Sequence, residues 1–262
     1  MRVGVFDSGL GGLTIVKAMM HHIRGAQIVY VADTLNAPYG EKTHEQIQNF
    51  SIRVTEYLLR HHDIEVLVVA CNTATSAAIA LLRERYPELI VVGTEPGLKP
   101  AISHSHTKKV GVLATPATLG GEKYKALLEL LCRHYHVEVF EQPCPGLVDA
   151  IENGETASPR TVEMMEGWLG PMRDAGVDTI VLGCTHYPLV GETIEKVMGH
   201  PVTLVQTADA VSKRVLDLMV QKGHINEGDS VLQILSTGPI RSDMVERIMG
   251  ESFNLTMIHL AD

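Results

Sequence analysis

The stretch Val66-Leu67-Val68-Val69-Ala70-Cys71-Asn72-Thr73 decides how the chain folds, because an unbroken aliphatic run ends abruptly in a polar cluster. A run that is short, rich in Val and apolar at every position predicts a strand buried on both faces, as in a parallel sheet. The pattern returns 113 residues later in Thr179-Ile180-Val181-Leu182-Gly183-Cys184-Thr185-His186. Each copy reads as a buried strand running into a cysteine, a polar residue or two, and then a helix. The separation is about the size of one small domain, which suggests a duplicated architecture.

Working outward, similar Val- and Ile-rich runs lie near 3–6, 28–32, 90–92, 110–114, 137–140, 202–205, 231–235 and 255–258. Segments with the apolar spacing of helices, such as 45–60, 76–85, 124–134 and 162–173, alternate with them. The alternation predicts an α/β protein built as two similar parallel-sheet domains facing each other across a cleft. Pro96-Gly97 and the segment near Gln206-Thr207 place the boundaries. A first domain spans 1–96 plus 207–262, and a second, 97–206, is inserted into it.

Composition narrows the function. With 45% hydrophobic residues the chain buries a substantial core. A net charge of -9 and the lack of any basic run argue against a nucleic-acid partner. Small anionic substrates remain open, since a few backbone N–H groups at helix starts suffice to hold them. No apolar run approaches the roughly 18 residues of a membrane span, and Met1-Arg2-Val3-Gly4-Val5-Phe6-Asp7 reads as a strand rather than a signal peptide, so a cytoplasmic protein with no membrane partner is expected. The four cysteines, at 71, 132, 144 and 184, form no CxxC pair and fit neither a disulfide scaffold nor a structural zinc site.

In open α/β sheets ligands bind beyond the carboxyl ends of the strands, and Cys71 and Cys184 both fall there. A thiol at a helix N-terminus is biased toward the thiolate, which acts as a base. A lone cysteine after a strand often only fills the core; two in matching settings point to chemistry. A third strand end, Asp7-Ser8-Gly9-Leu10-Gly11-Gly12, leads through a glycine-rich turn into a helix. Its glycines allow backbone N–H groups to approach an anion, but it matches neither a dinucleotide fingerprint nor a P-loop. A loop, Ala32-Asp33-Thr34-Leu35-Asn36-Ala37-Pro38-Tyr39-Gly40, would lie beside it. Of the thirteen histidines, His21, His22, His61, His62, His134 and His136 close helical segments and read as surface caps. His186 stands on a strand-end loop two residues after Cys184, where an acid or base partner belongs.

The segments Asp7-Ser8-Gly9-Leu10-Gly11-Gly12, Pro38-Tyr39-Gly40, Ala70-Cys71-Asn72-Thr73-Ala74, Glu95-Pro96 and Leu182-Gly183-Cys184-Thr185-His186-Tyr187-Pro188 together resemble the glutamate racemases of bacterial cell-wall synthesis, in order and spacing across most of the chain. The resemblance implies that Cys71 and Cys184 are two catalytic bases. It implies that Asp7, Ser8, Pro38, Tyr39, Gly40, Asn72, Thr73, Thr185 and His186 line a glutamate site. It further implies that Asp7 assists Cys71, that His186 and Glu152 assist Cys184, and that the protein is a homodimer. Around Glu152 the chain keeps the family's Glu and Gly but varies otherwise, and Asn36-Ala37 and Gly120-Gly121 also depart from the usual pattern.

Two thiols suit such a reaction. Inverting an alpha carbon takes a proton from one face and delivers another to the opposite face, so two acid/base groups must flank it. Groups of one chemical type exchange roles evenly when the direction reverses. Without an electron sink the carbanion must be stabilised by the site, and Ser8, Asn72, Thr73 and Thr185 are the expected donors around the alpha carboxylate. Asp7 and Glu152 would relay a proton or orient a thiol. Rival readings are an aspartate or hydantoin racemase of the same superfamily, a Cys/His hydrolase using Cys184 and His186, and a non-catalytic glutamate-binding protein.

No lysine lies in these loops to form a Schiff base, and no site for pyridoxal phosphate, nicotinamide, flavin or metal is legible. Racemisation is therefore expected to need no cofactor. Dialysis against a chelator should leave the rate unchanged, and a loss restored by one specific metal would contradict this.

Overall fold

A computed structural model describes residues 1–260 of the chain. The last two positions of the expected first domain, 261 and 262, lie outside the described residues. Two compact units are present: Met1–Thr94 with the chain from Thr207 onward, and Glu95–Gln206.

In chain order, the first unit begins with β1 (Arg2–Asp7), α1 (Leu13–His22), β2 (Gln27–Ala32), α2 (His44–His62), β3 (Val66–Val69), α3 (Asn72–Arg85) and β4 (Ile90–Gly93). The second unit comprises α4 (Leu98–His104), β5 (Lys109–Ala114), α5 (Pro116–Gly120), α6 (Glu122–Tyr135), β6 (Glu138–Pro143), α7 (Leu147–Glu152), α8 (Pro159–Ala175), β7 (Thr179–Gly183), α9 (Gly191–Met198) and β8 (Thr203–Val205). The chain then completes the first unit with α10 (Ala208–Gln221), β9 (Val231–Ser236), α11 (Ser242–Met249) and β10 (Leu255–Met257).

The first sheet has the order β10-β9-β2-β1-β3-β4 and the second β6-β5-β7-β8, and every pairing is parallel. The apolar runs explain this, because each central strand is covered on both faces. In the second unit Leu113, Ile180 and Leu182 point into a core with Leu147 and Ile151 of α7, Leu169 of α8 and Ile194 of α9. Val110, Val112, Ala114 and Val181 point the other way, onto Leu98 and Ile102 of α4 and Leu131 of α6. In the first unit Phe6, Leu67 and Val69 pack beneath α2 and α3, while α1 packs with α10 and α11. Helix α2 starts from a capping box in which the Thr43 hydroxyl accepts from the Gln46 amide at 3.2 Å and the Gln46 side chain accepts from the Thr43 amide at 3.0 Å.

The two sheets share one arrangement. In each, the first strand of the unit is flanked by the second on one side and the third on the other, giving a switch point between β1 and β3 and another between β5 and β7. Side chains alternate along a strand, and both cysteines keep the parity of the strand before them: Cys71 follows Leu67 and Val69 into one core, Cys184 follows Ile180 and Leu182 into the other. One expectation is corrected. Cys71 leads into an α-helix, but Cys184 leads into a 3-10 turn at Tyr187–Val190, and α9 starts only at Gly191. Pro188, with no N–H to give, suits this short turn. Helix α3 also begins at Asn72, ahead of the apolar spacing that starts at 76, because Cys71 itself caps it.

The end of β7 is packed so tightly that only glycine fits. A Cβ on Gly183 would stand 2.9 Å from both the Leu113 carbonyl oxygen and the Ala114 Cβ. Gly183→Ala should therefore destabilise the protein by roughly 1–3 kcal/mol in urea unfolding, as overpacked core sites do. Gly167→Ala, in α8 with nothing within 4 Å of the added methyl, should instead be neutral or stabilising by up to about 1 kcal/mol. Equal midpoints for the two variants would refute this packing account.

Candidate functional site

The switch point of the first sheet gathers the first group of candidates. Asp7 closes β1 and is fully buried, and its Oδ2 accepts the Gly12 amide at 2.8 Å. One N–H of the glycine-rich turn is thereby committed to a side chain of the protein itself. The fit requires glycine, since a Cβ at Gly12 would lie 2.7 Å from the Asp7 Cβ and 2.9 Å from the Tyr30 hydroxyl. Tyr30 in turn donates to the Gly9 carbonyl at 2.5 Å, which holds the turn against β2. Across the switch point the Cys71 Sγ lies 4.0 Å from the Ser8 hydroxyl and accepts the Ala74 amide at 3.4 Å. The sulfur thus occupies the capping position of α3, where an N–H and the helix dipole both favour negative charge. Asn72 and Thr73 form the first turn of α3 and are buried. The Asn72 Oδ1 is buried without a hydrogen-bond partner among the described residues, an arrangement suited to a ligand's ammonium or N–H group.

Beside this point, the loop after β2 folds around Asp33. The carboxylate accepts from the Tyr39 hydroxyl at 2.5 Å, the Thr237 hydroxyl at 2.8 Å and the Asn36 amide at 3.0 and 3.1 Å. These bonds fix the Pro38-Tyr39-Gly40 segment, which includes a cis Ala37–Pro38 bond, against the start of the loop after β9. Burial, reinforced by the charge of Asp33, raises the Tyr39 phenol well above its ordinary range, so it remains a donor. Tyr39 is itself buried, while Pro38 and Gly40 are partly exposed.

The switch point of the second sheet gathers the remainder. Cys184 follows Gly183, the register partner of Ala114, which brings it beside Thr115 at the start of α5. Its Sγ lies 3.7 Å from the His186 Nδ1. The His186 Nε2 lies 2.6 Å from the Glu152 Oε1 at the end of α7. Burial alone would lower the His186 pKa, but its bonds to Cys184 and Glu152 and their charges outweigh it and raise the imidazole well above its usual value. These contacts favour the protonated form of the ring, which is placed between a sulfur and a carboxylate. Thr185 is buried in the same turn.

The structure thus brings Asp7, Ser8, Cys71, Asn72 and Thr73 to one strand-end cluster, with Tyr39 held beside them by Asp33. It brings Cys184, Thr185, His186 and Glu152 to a second. His21, His22, His61, His62 and His134 lie in the last turns of α1, α2 and α6, and His136 caps α6. Asp33 and Thr115 escape a reading of the sequence. Their signal is position: each is the first polar residue after a strand of its sheet. Among the described residues, no three or more His, Cys, Asp or Glu side chains are grouped to hold a metal ion, and no helix is long and apolar enough to cross a membrane.

A profile of the family described as Asp/Glu/Hydantoin racemase matches residues 13–215. The chain is 58% identical over 251 residues to a protein of Sulfurovum sp. (strain NBC37-1) named glutamate racemase, covering 96% of this chain and 95% of the relative. Among solved structures it is similar to a glutamate racemase isoform of Bacillus anthracis, with TM-score 0.86 and 29% identity over 99% of this chain and 97% of that one. It is also similar to the glutamate racemase of Francisella tularensis solved in complex with D-glutamate, with TM-score 0.84 and 28% identity over 99% and 97%.

The His186–Glu152 pair makes stability depend on pH. Because the folded imidazole titrates above its unfolded value near 6.5, its contribution is complete below about pH 6.5 and is lost as the pH rises through the folded value. The Tm gap between the unmodified protein and Glu152→Gln should be widest below about pH 6.5 and narrow as the pH rises through the folded value. A gap that widens with rising pH would contradict the assignment.

Proposed function

The chain belongs to the Asp/Glu/hydantoin racemase family, and on that premise we propose that it interconverts L- and D-glutamate without a cofactor, with Cys71 and Cys184 as bases on opposite faces of the alpha carbon. The observation that carries this reading is the equivalence of the two thiols. Each follows the third strand of its unit at a switch point and points into the same kind of core. All four cysteines are free thiols, as acid/base use requires.

The surroundings supply what the reaction needs. The α3 N-terminus favours charge on Cys71, and the His186 imidazolium, oriented by Glu152, faces Cys184. Ser8, Asn72, Thr73 and Thr185 are the donors for the alpha carboxylate, and the Asn72 Oδ1 is an acceptor for the ammonium group. Asp7 positions the turn on the Cys71 side, and Pro38, Tyr39 and Gly40 complete the wall of the glutamate site. The resemblance carries the rest: D-glutamate supplied to peptidoglycan synthesis in the cytoplasm by a homodimer.

One rival draws on a specific observation. Cys184, His186 and Glu152 are aligned as nucleophile, base and orienting acid, as a cysteine hydrolase would need. That reading gives Cys71 no task.

Serine variants decide between them. Cys184→Ser should still exchange the alpha proton of the enantiomer whose hydrogen faces Cys71, and Cys71→Ser should show the opposite preference, while full racemisation falls by about 10²–10⁴-fold in each. In deuterated water, early product of the unmodified enzyme should carry mainly deuterium. Near-normal racemisation by either variant, or product retaining its original hydrogen, would eliminate the two-base reading.

A further inference from the structure

The loop between β2 and α2 carries Pro38, Tyr39 and Gly40, yet it contains only two short 3-10 turns, Thr34–Asn36 and Tyr39–Glu41. Leu35, in the first of them, is exposed, so apolar burial does not anchor the loop there. Its anchor comes instead from the far end of the chain. Strand β9 pairs with β2 so that Ser236 stands opposite Ala32, and Thr237 extends the ladder one step, its amide donating to the Ala32 carbonyl at 3.0 Å. Three more bonds then reach into the loop. The Thr237 hydroxyl donates to the Asp33 Oδ1 at 2.8 Å and accepts the Leu35 amide at 3.0 Å, and the Gly238 amide donates to the Thr34 hydroxyl at 3.0 Å. Thr237, Asp33 and Tyr39 are all buried, within the first unit.

A hydroxyl has one proton to give, and Thr237 gives it to Asp33 while accepting from Leu35. It thereby ties the loop's main chain to the loop's own carboxylate. The other oxygen of that carboxylate, Oδ2, accepts the Tyr39 hydroxyl at 2.5 Å, and the Asn36 amide reaches both oxygens. Tyr39 therefore ends a relay that starts at Thr237 and passes through Asp33. Its ring packs on Phe50 of α2, with centroids 5.5 Å apart, and its carbonyl accepts the Lys42 amide at 3.1 Å, which closes the second turn. A buried carboxylate that loses a donor must find another, so without the Thr237 hydroxyl the loop has to rearrange around Asp33. We propose that Thr237 is a positioning residue for glutamate binding, its hydroxyl holding the Pro38-Tyr39-Gly40 wall in place through Asp33. The segment after β9 thereby becomes a determinant of substrate affinity.

This rests on the reading of Pro38, Tyr39 and Gly40 as part of the glutamate site, and the test separates the two claims. Thr237→Val keeps the branched shape and removes the hydroxyl. In this variant the Lys42 amide, bonded only to the turn of Tyr39, should exchange with deuterated solvent at least about threefold faster. The KM for either enantiomer of glutamate should rise at least about threefold with kcat changed less than about twofold, because a loop in place part of the time lowers apparent affinity by that fraction. Thr237→Ser restores the hydroxyl and should bring both quantities back to within about twofold of the unmodified protein. Gly238→Ala crowds the same clasp from the main chain, its Cβ standing 3.2 Å from the Thr34 hydroxyl and 3.3 Å from the Leu35 amide nitrogen, and should raise KM in the same way. Unchanged Lys42 exchange in both Thr237→Val and Gly238→Ala would refute the clasp. So would a serine variant no better than valine, or activity lost only in proportion to lost fold. A loosened loop with unchanged KM would instead remove Pro38-Tyr39-Gly40 from the glutamate site, and the proposal with it.

Discussion

The central strands of a parallel sheet covered by helices on both faces meet water only at their ends, and the candidate site residues of this protein all collect under that constraint. The polar residues that cannot enter the aliphatic interior collect where strands stop. At a switch point the connections on either side depart in opposite directions and leave a gap lined by backbone N–H groups. Asp7, Ser8 and Cys71 stand at one such gap, and Cys184 with Thr115 at the other. Helices below hold the strands in register, so tight packing at Gly183 and Gly12 translates directly into the placement of a thiol and a carboxylate.

The two gaps share topology but handle charge differently. Cys71 takes its support from main-chain dipoles, an amide at 3.4 Å and the start of a fourteen-residue helix. Cys184 has only a short 3-10 turn behind it, and its sulfur instead faces the His186 ring, which Glu152 binds on the other side. A dipole cannot be titrated, whereas an imidazolium can. The second cluster thus carries an imidazole in contact with its sulfur, although the sequence around the two cysteines looks alike.

That contrast also marks what is legible in the sequence. The strands are readable because burial on both faces demands uninterrupted Val and Ile, a signal that requires no partner to interpret. Both thiols are readable because they interrupt such runs at the same place. The missing α-helix after Cys184 is not, since Thr185-His186-Tyr187-Pro188 is as compatible with a helix start as with a 3-10 turn until the packing of Tyr187 is known. Asp33 goes unseen because its partners, Tyr39 and Thr237, are 6 and 204 residues away, and no local pattern announces a bond of the second kind.

The order of strands in the first sheet also bears on how the chain is made. Strand β9 pairs with β2, so the edge of β2 finds its neighbour only after the whole second unit and α10 have been synthesised. Until then, a growing chain on the ribosome carries β2 with one side of its backbone unpaired, next to a run of Ile, Val and Tyr. Such an edge invites pairing with other chains. The strand that protects it, β9, emerges only after the second unit, which has its own set of strands. The exposure of this edge to misassembly is therefore greatest in the interval before β9 is made.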